Sequence, residues 1–472
     1  MQVYRYSKPD FDPYSDGTVP EEADPSWIAP TASGPLSARL TLPGSKSLTN
    51  RELVLAALAD GPSLLRRPLH SRDTALMVQA LRSLGVRIDE VPGDGDFGPD
   101  LLVTPGELEG STSIDCGLAG TVMRFVPPLA ALALGPVVLD GDESARRRPM
   151  RTTIASLRAL GVDVADDGHG TLPFTVHGAG RVAGGEIEID ASASSQFVSG
   201  LLLAAPRFEN GLTLRHTGER LPSMPHIEMT IACLAARGVS VTSPEPGVWV
   251  VPATAIQARD VDIEPDLSNA APFLVAAIVA GGTVTIDGWP ASTTQVGDDL
   301  RHLLPRFGAT VSVDGDALTV DGGDGIRGAG SPGGGFDGLD LDLSTGGELA
   351  PALVALTAFA RTPSRVTGIG HLRGHETDRL MALAAVFADI GGSVTELDDG
   401  LAITPTELHG GPWRVFEDHR MATAGAIVGL AVEGIEVDDI GATSKTLPEF
   451  PALWQRMLGR APVAAPDPAG LF

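Results

Sequence analysis

Six times along the chain a polar cluster opens an apolar, alanine-rich segment, at Lys46, Thr121, Ser194, Ser268, Gly347 and Arg420. The segments read SKSLTNRELVLAALA, TVMRFVPPLAALAL, SSQFVSGLLLAAP, LSNAAPFLVAAIVA, GELAPALVALTAFA and RMATAGAIVGLAV, and they recur at roughly 73 to 79 residues. That interval exceeds the solenoid range and predicts a small βα unit used repeatedly within globular domains. Each segment ends near glycine or proline and runs into a short β-like stretch such as PVVLDG, GLTLRHTG, GTVTIDG or GIEVDDIG. After five of the polar loops that follow comes an amphipathic helix closed by glycine before another strand: ALRSLGVRI, SLRALGVDV, CLAARGVSV, LLPRFGATV and VFADIGGSV. The last unit stops after PEFPALWQRML.

The first helix of each unit is apolar nearly all round and should be buried, whereas the second carries a polar face and should lie outside. Six units over two domains give three each, with the buried helices of a domain aiming their N-termini the same way. Such a bundle end presents unsatisfied N–H groups and about half a positive charge per helix, so it is an anion site.

Composition restricts what that anion can be. At 472 residues and 43% hydrophobic, the chain is long enough for two domains. A net charge of -26 opposes nucleic acid and anionic lipid as partners, because both require an exposed basic face. Any anionic ligand must therefore be met by a local cluster. Lysine occurs only as Lys8, Lys46 and Lys445, the last two in the loops GSKSLTNR and ATSKTLPEF. A position that keeps lysine amid arginine is a candidate for point-charge contact or proton transfer. Cys116 and Cys233 read as core thiols of a reduced, cytoplasmic protein, and no metal-ligand spacing surrounds either. The start, MQVYRYSKPDFDPYSDGTVPEEADPSW, lacks the apolar run of a signal peptide, and no apolar stretch reaches the about 20 residues of a membrane span. GSKSLTN lacks the G-x-x-x-x-G-K-[ST] spacing of a nucleotide-binding P-loop.

Reactive side chains gather at two places in the unit. The start of the buried helix supplies Lys46, Ser47, Arg51, Thr121, Arg124, Ser194, Ser195, Gln196, Asp266, Asn269, Glu348, Asp418, His419 and Arg420. The loop after the next strand supplies Asp73, Arg148, Ser223, Gln295, Arg373, His375, Glu376, Arg379 and Lys445. Taken singly, Ser47, Thr121, Ser194 and Ser195 read as N-caps. Lys46, Arg51, Arg124 and Arg420 oppose the helix dipole and call for an anion. Arg146 to Arg148 read as a solvated run from which one arginine contacts ligand, and the stretch from Gly322 to Gly338 reads as a flexible loop.

The strings LPGSKSLTNR, GLAGTVMR, ARRRP, SASSQF, HETDR, DHRMA and SKTLPEF, in that order from Leu42 to Phe450, resemble the EPSP synthase family of enolpyruvyl transferases (3-phosphoshikimate 1-carboxyvinyltransferases). The resemblance implies an inside-out α/β barrel of two domains, each of three βαβαββ units with buried parallel helices. It implies a polar extension over 1–37, an N-terminal, shikimate 3-phosphate-binding domain over 44–265, a C-terminal domain of 38–43 plus 266–460, and a tail over 461–472, with crossings near Gly44 and Asp266. The implied reaction transfers the enolpyruvyl group of phosphoenolpyruvate to the 5-hydroxyl of shikimate 3-phosphate, releasing phosphate, without metal or cofactor. The implied protein is a monomer whose partners are those two small substrates.

Carried over residue by residue, Lys46, Ser47, Arg51, Ser194, Ser195, Gln196, Ser223, Glu348 and His375 are implied shikimate 3-phosphate contacts. Lys46, Gly120, Arg148, Gln196, Arg379, Arg420 and Lys445 form the implied phosphoenolpyruvate clamp. Glu348 is implied as the base at the 5-hydroxyl and Glu376 as the group handling the methylene proton, with Lys46 or Lys445 assisting phosphate departure. Gly120 beside Thr121 matches the arrangement that admits the inhibitor glyphosate. The chain departs from better-known bacterial members at His375, often lysine, His226, often tyrosine, and His371, often asparagine. A charge on His375 that fades with rising pH would loosen phosphoenolpyruvate binding. The rival readings are a sister transferase acting on UDP-N-acetylglucosamine and a non-catalytic anion-binding member.

Overall fold

A computed structural model describes residues 26–326 and 335–461. Most of the N-terminal extension, the middle of the Gly322 to Gly338 stretch and the tail from 462 lie outside the described residues. The six alanine-rich segments form the helices Lys46–Ala57, Gly120–Leu132, Gln196–Ala204, Leu267–Ala280, Ala350–Thr357 and His419–Gly429. Every residue from Ala350 to Thr357 is buried, as an all-round apolar helix requires. The first three helices share one hydrophobic core, which runs from Leu53 to Ile256; the last three share another, built from Ala29 to Leu42 and Leu267 to Met457.

Among the described residues, strands wrap both cores in six small sheets. In the second unit Thr112–Asp115 runs parallel to Leu134–Asp140, with the helix Gly120–Leu132 as the crossover that a parallel pair needs. Phe174–Ala179 and Asp163–Ala165 then add antiparallel. The fifth unit repeats this with Asp340–Asp342, Ser364–Thr367, Gly400–Thr404 and Ser393–Leu397. Helices inside and sheets outside make the inside-out α/β architecture that the resemblance implies.

Two sheets borrow a strand from across the chain. Leu36–Leu40 lies parallel to Gly282–Ile286, and Val261–Asp262 lies parallel to Ser63–Arg66. The backbone thus passes twice between the cores, and the two passages are bonded side by side. Ser45 N donates to Glu264 O at 2.8 Å and Asp266 N to Pro43 O at 3.0 Å, around a bridge between Gly44 and Pro265. A Cβ on Gly44 would stand 2.4 Å from Arg67 O, so only glycine fits this passage.

Four outer helices are regular: Arg72–Ser83, Arg151–Ala159, Met224–Ala236 and Arg379–Asp389. The segment LLPRFGATV departs from expectation. One α-turn, Leu300–Leu303, tightens into a 3-10 turn, Leu304–Phe307, because Pro305 has no N–H to continue the α ladder. PEFPALWQRML supplies Phe450–Met457, whose Phe450 and Trp454 rings lie 5.5 and 5.6 Å from the Phe273 ring. Among the described residues no helix is long and apolar enough to cross a membrane.

The buried helices pack backbone to backbone where a small residue allows it. A Cβ on Gly200 would lie 2.2 Å from Arg124 O in the neighbouring helix, a contact with no flexible side chain to yield. Gly200→Val is therefore expected to cost about 1–3 kcal/mol, the usual range for overpacking. Chemical denaturation measures it, and an unchanged midpoint would contradict the close approach.

Candidate active site

The starts of all six buried helices line one cleft between the cores. Lys46, Ser47, Gly120, Thr121, Ser194, Ser195 and Gln196 face it from one side, and Ser268, Asn269, Glu348, His419 and Arg420 from the other. Outer loops and the helix starts that follow them close the ring with Arg148, Ser223, His226, His371, His375, Glu376 and Arg379. Each helix start contributes unsatisfied N–H groups and a partial positive charge, so six of them around one space make an anion site.

Caps hold these tips in place, though not the expected ones. Ser45 caps the first helix, its Oγ accepting from Leu48 N at 3.5 Å, while Ser47 lies within the helix. Ala119 occupies the cap position of the second, and Thr121 Oγ1 instead accepts from Asn50 Nδ2 at 2.6 Å. Ser195 stands at the cap of the third helix without a capping bond, and Ser194 Oγ accepts from Gln196 N at 3.2 Å. Asp266 serves two helices from different cores. Its Oδ1 accepts from Asn269 N and its Oδ2 from Lys46 N, both at 3.0 Å. The Lys46 tip is thereby tied to the chain crossing.

One carboxylate also joins the two lysines. Asp73, buried in the first turn of Arg72–Ser83, has Oδ2 3.5 Å from Lys46 Nζ and accepts from Lys445 Nζ through Oδ1 at 3.0 Å. Lys445 also donates to Leu118 O at 2.7 Å and stands 3.8 Å from Glu376 Oε1. Burial pushes its pKa down, against the opposing pull of Asp73 and Glu376. Lys445 thus sits one layer behind the cleft wall. Arg51 does likewise: Nε donates to Thr230 Oγ1 at 2.8 Å, Nη1 to Ser47 O at 2.9 Å and Nη2 to His226 O at 3.0 Å. It braces Ser47 and His226, which do line the cleft, and burial lowers its pKa to about 10.

The two candidate acid/base carboxylates have different surroundings. Glu348, in the 3-10 turn Gly347–Leu349, accepts from the Ser268 hydroxyl through Oε1; its Oε2 lies 3.4 Å from His226 Nε2 and 3.9 Å from Arg420 Nη2. Burial would raise its pKa, but His226, Arg420 and Ser268 outweigh burial and hold it well below the usual carboxylate range. Glu376 accepts from Arg379 Nη2 at 3.0 Å. It too is held low against burial, by Arg379, Lys445 and Arg148. Arg379 also donates from Nε to Asp418 Oδ2 at 2.7 Å, and Asp418 in turn caps the last buried helix by accepting from Arg420 N at 2.9 Å.

Of the arginine run, Arg146 pairs with Asp140 and Arg147 with Glu143 at the surface, whereas Arg148 is buried at the cleft. Cys116 and Cys233 are buried and free, and burial pushes both thiols up. Among the described residues no cluster of three or more His, Cys, Asp or Glu is placed to hold a metal ion. His226 gains a cleft role that the sequence reading did not give it, while Asp73, expected at the cleft, stands behind its wall and meets Lys445 at a separation of 372 positions.

Comparison with known proteins places this geometry in a family. The sequence profile described as EPSP synthase (3-phosphoshikimate 1-carboxyvinyltransferase) matches residues 30–454. A 3-phosphoshikimate 1-carboxyvinyltransferase of Kocuria rhizophila is 55% identical over 442 residues, covering 92% of this chain and 97% of the relative. An EPSP synthase structure from Acinetobacter baumannii superposes with a TM-score of 0.73 at 23% identity, covering 92% of this chain and 98% of that one. The enolpyruvyl transferase NikO from Streptomyces tendae superposes with a TM-score of 0.69 at 17% identity, covering 91% and 96%. The chain that builds this ring of helix tips belongs to the EPSP synthase family.

Proposed function

We propose that the protein transfers the enolpyruvyl group of phosphoenolpyruvate to the 5-hydroxyl of shikimate 3-phosphate with release of phosphate, in the cleft between the two cores. The observation that carries this reading is the convergence of six helix starts with Lys46, Arg148, Arg379 and Arg420 in an acidic protein. Two polyanions held side by side need many fixed donors rather than one strong site. Ser47, Ser194, Ser195, Gln196, Ser223 and His375 hold shikimate 3-phosphate, with Arg51 bracing Ser47 from behind. Lys46, Gly120, Arg148, Gln196, Arg379 and Arg420 hold phosphoenolpyruvate, with Lys445 reaching it from behind the wall.

Addition and elimination need two groups that exchange protons. Glu348 is ionised and acceptor-only, the state required to take the 5-hydroxyl proton. Glu376 must carry a proton to deliver one to the enol methylene. Its present partners Arg379 and Lys445 keep it ionised. A substrate carboxylate that shares those two cations would weaken their hold and raise the Glu376 pKa, so binding itself would prepare the acid. Lys46 and Lys445, tied through Asp73, would then stabilise the departing phosphate.

His375 corrects the sequence-based expectation of a fading charge. Burial and Arg379 push its pKa well below the ordinary histidine value, and burial and Arg379 likewise lower His371 to about 4. Both rings are uncharged at neutral pH in this arrangement, so rising pH removes no charge there.

Phosphate release from phosphoenolpyruvate should depend on shikimate 3-phosphate, and Glu348→Gln should lower kcat at least about a hundredfold, the lower bound of general-base contributions. Release driven by UDP-N-acetylglucosamine instead, or none with either acceptor, would overturn the reading. Gly120→Ala should raise KM for phosphoenolpyruvate more than it lowers kcat, because the added Cβ would stand 3.1 Å from Gln196 Oε1 and 3.4 Å from Arg148 Nη2. An unchanged KM would contradict that crowding. A histidine kept neutral by folding contributes stability above its unfolded pKa of about 6.5 and loses it on acidification toward the folded value. Unfolding free energy should therefore fall from about pH 6.5 to about pH 4, and His371→Asn should flatten that slope. An identical slope in the variant would contradict the assignment.

A further inference from the structure

The last buried helix is entered through an uncommon backbone. Phe416 and Glu417 have φ of 55° and 58°, and Asp418 N donates to Val415 O at 3.0 Å across them. A tight turn with two left-handed central residues is ordinarily built from Gly, Asn or Asp, because a larger side chain is strained there. The turn runs straight into Asp418, His419 and Arg420. Asp418 is wholly buried, caps the helix His419–Gly429 and pairs with Arg379, while Arg420 lines the cleft. Relaxing the turn therefore shifts the cap, and with it the aim of Arg420.

The two strained residues are anchored differently. Phe416 is held within its own core: it packs against that core's apolar cluster, and its ring lies 5.3 Å from the Arg414 guanidinium. Glu417 is held across the seam. Its Oε2 accepts from the hydroxyl of Ser144, 273 positions away on the other core. Charge does not account for this placement, because the crevice of about 360 Å3 that Glu417 borders is also lined by Asp142, Glu143 and Asp439. The cations of that crevice are engaged elsewhere, Arg72 with Asp142 and Lys445 with Asp73. Ser144 stands in the short helix Glu143–Arg146, and just beyond it Arg148 N donates to Ala145 O at 3.0 Å. The bond thus joins the segment that carries Arg148 to the segment that carries Arg420, two arginines that face the cleft from opposite cores.

We propose that Glu417 is a positioning residue for phosphoenolpyruvate: its bond to Ser144 holds the Phe416–Glu417 turn left-handed and so sets Arg420 opposite Arg148 when the cores meet. The proposal deepens the reading of the cleft given above and rests on it. A non-glycine residue keeps a left-handed backbone only where its surroundings offset the strain. Without the bond the turn relaxes, and a small displacement of Arg420 is enough to spoil the clamp. Glycine takes the same backbone freely. At this position, removing the whole side chain is therefore milder than leaving a methyl group.

Steady-state kinetics with each substrate varied in turn tests the role in Ser144→Ala, Glu417→Ala, Glu417→Gly and the double alanine variant. Each single alanine variant should raise KM for phosphoenolpyruvate at least about fivefold, the ratio that follows from releasing one strained residue. KM for shikimate 3-phosphate should stay within about twofold, a split between the substrates that general loosening of the fold would not produce. The double variant should be no worse than either single one, as two ends of one bond require. Glu417→Gly should keep KM for phosphoenolpyruvate within about twofold of wild type. An unchanged KM in either alanine variant, additive losses in the double variant, or a glycine variant as impaired as the alanine one would overturn the role. A wild type that releases no phosphate from phosphoenolpyruvate would instead overturn the reading on which the proposal rests.

Discussion

Six helix starts facing one space repel one another, and the protein adds lysine and arginine to the same place. The arrangement survives because carboxylates are threaded between the cations. Asp266 caps two helices from different cores, Asp73 joins Lys46 to Lys445, Asp418 caps a helix while pairing with Arg379, and Glu348 and Glu376 occupy the remaining gaps. Several of these contacts cross between the cores, notably Lys445 with Asp73 and His226 with Glu348. Charge balance and the meeting of the two halves are therefore one event. A substrate anion that takes over some of the cations changes both at once.

Such a network adds little net stability, because desolvating the ions consumes most of the attraction between them. Stability comes instead from the two apolar cores, where helices buried on every side are covered by strands. The division explains how a chain of net charge -26 keeps a positive cleft. Acidic side chains coat the outside, and the positive ends of the helices all face inward to one seam. It also explains the uneven pairing within the cleft, where Arg379 and Lys445 are neutralised in place while Arg124 and Arg148 are not.

Much of this was legible in the sequence. Apolar residues on all sides of a helical segment specify burial, so the six buried helices could be located from pattern alone, and the glycines closing the outer helices adopt left-handed values such as 92° at Gly85 and 83° at Gly391. The tips being polar and cationic pointed to an anion cleft. What the pattern hid depended on distant contacts or on single-residue offsets. Ser47 and Thr121 look like caps, yet the helices begin at Lys46 and Gly120, so neither side chain caps and Thr121 instead accepts from Asn50. Arg51 carries the sequence signature of a ligand contact but is consumed by Thr230, Ser47 and His226. His226 had no local signal because its partner Glu348 lies on the other core, and nothing local showed that Asp73 joins Lys46 of its own core to Lys445 of the other. Pro305 marked where the fourth outer helix could not continue, a cue that helical periodicity alone overrides.

The central claim is that the aligned helix starts and their cations form a single seat for both anionic substrates. A crystal structure of the protein with shikimate 3-phosphate and phosphoenolpyruvate trapped in the Glu348→Gln variant tests it most directly. The account predicts both phosphate groups within hydrogen-bond distance of backbone N–H groups or cations at the helix starts, one near Ser194 and Ser195 and the other near Gly120 and Arg148. Phosphates bound on the outer sheets, or on only one core with the opposite helix starts facing bulk solvent, would contradict it.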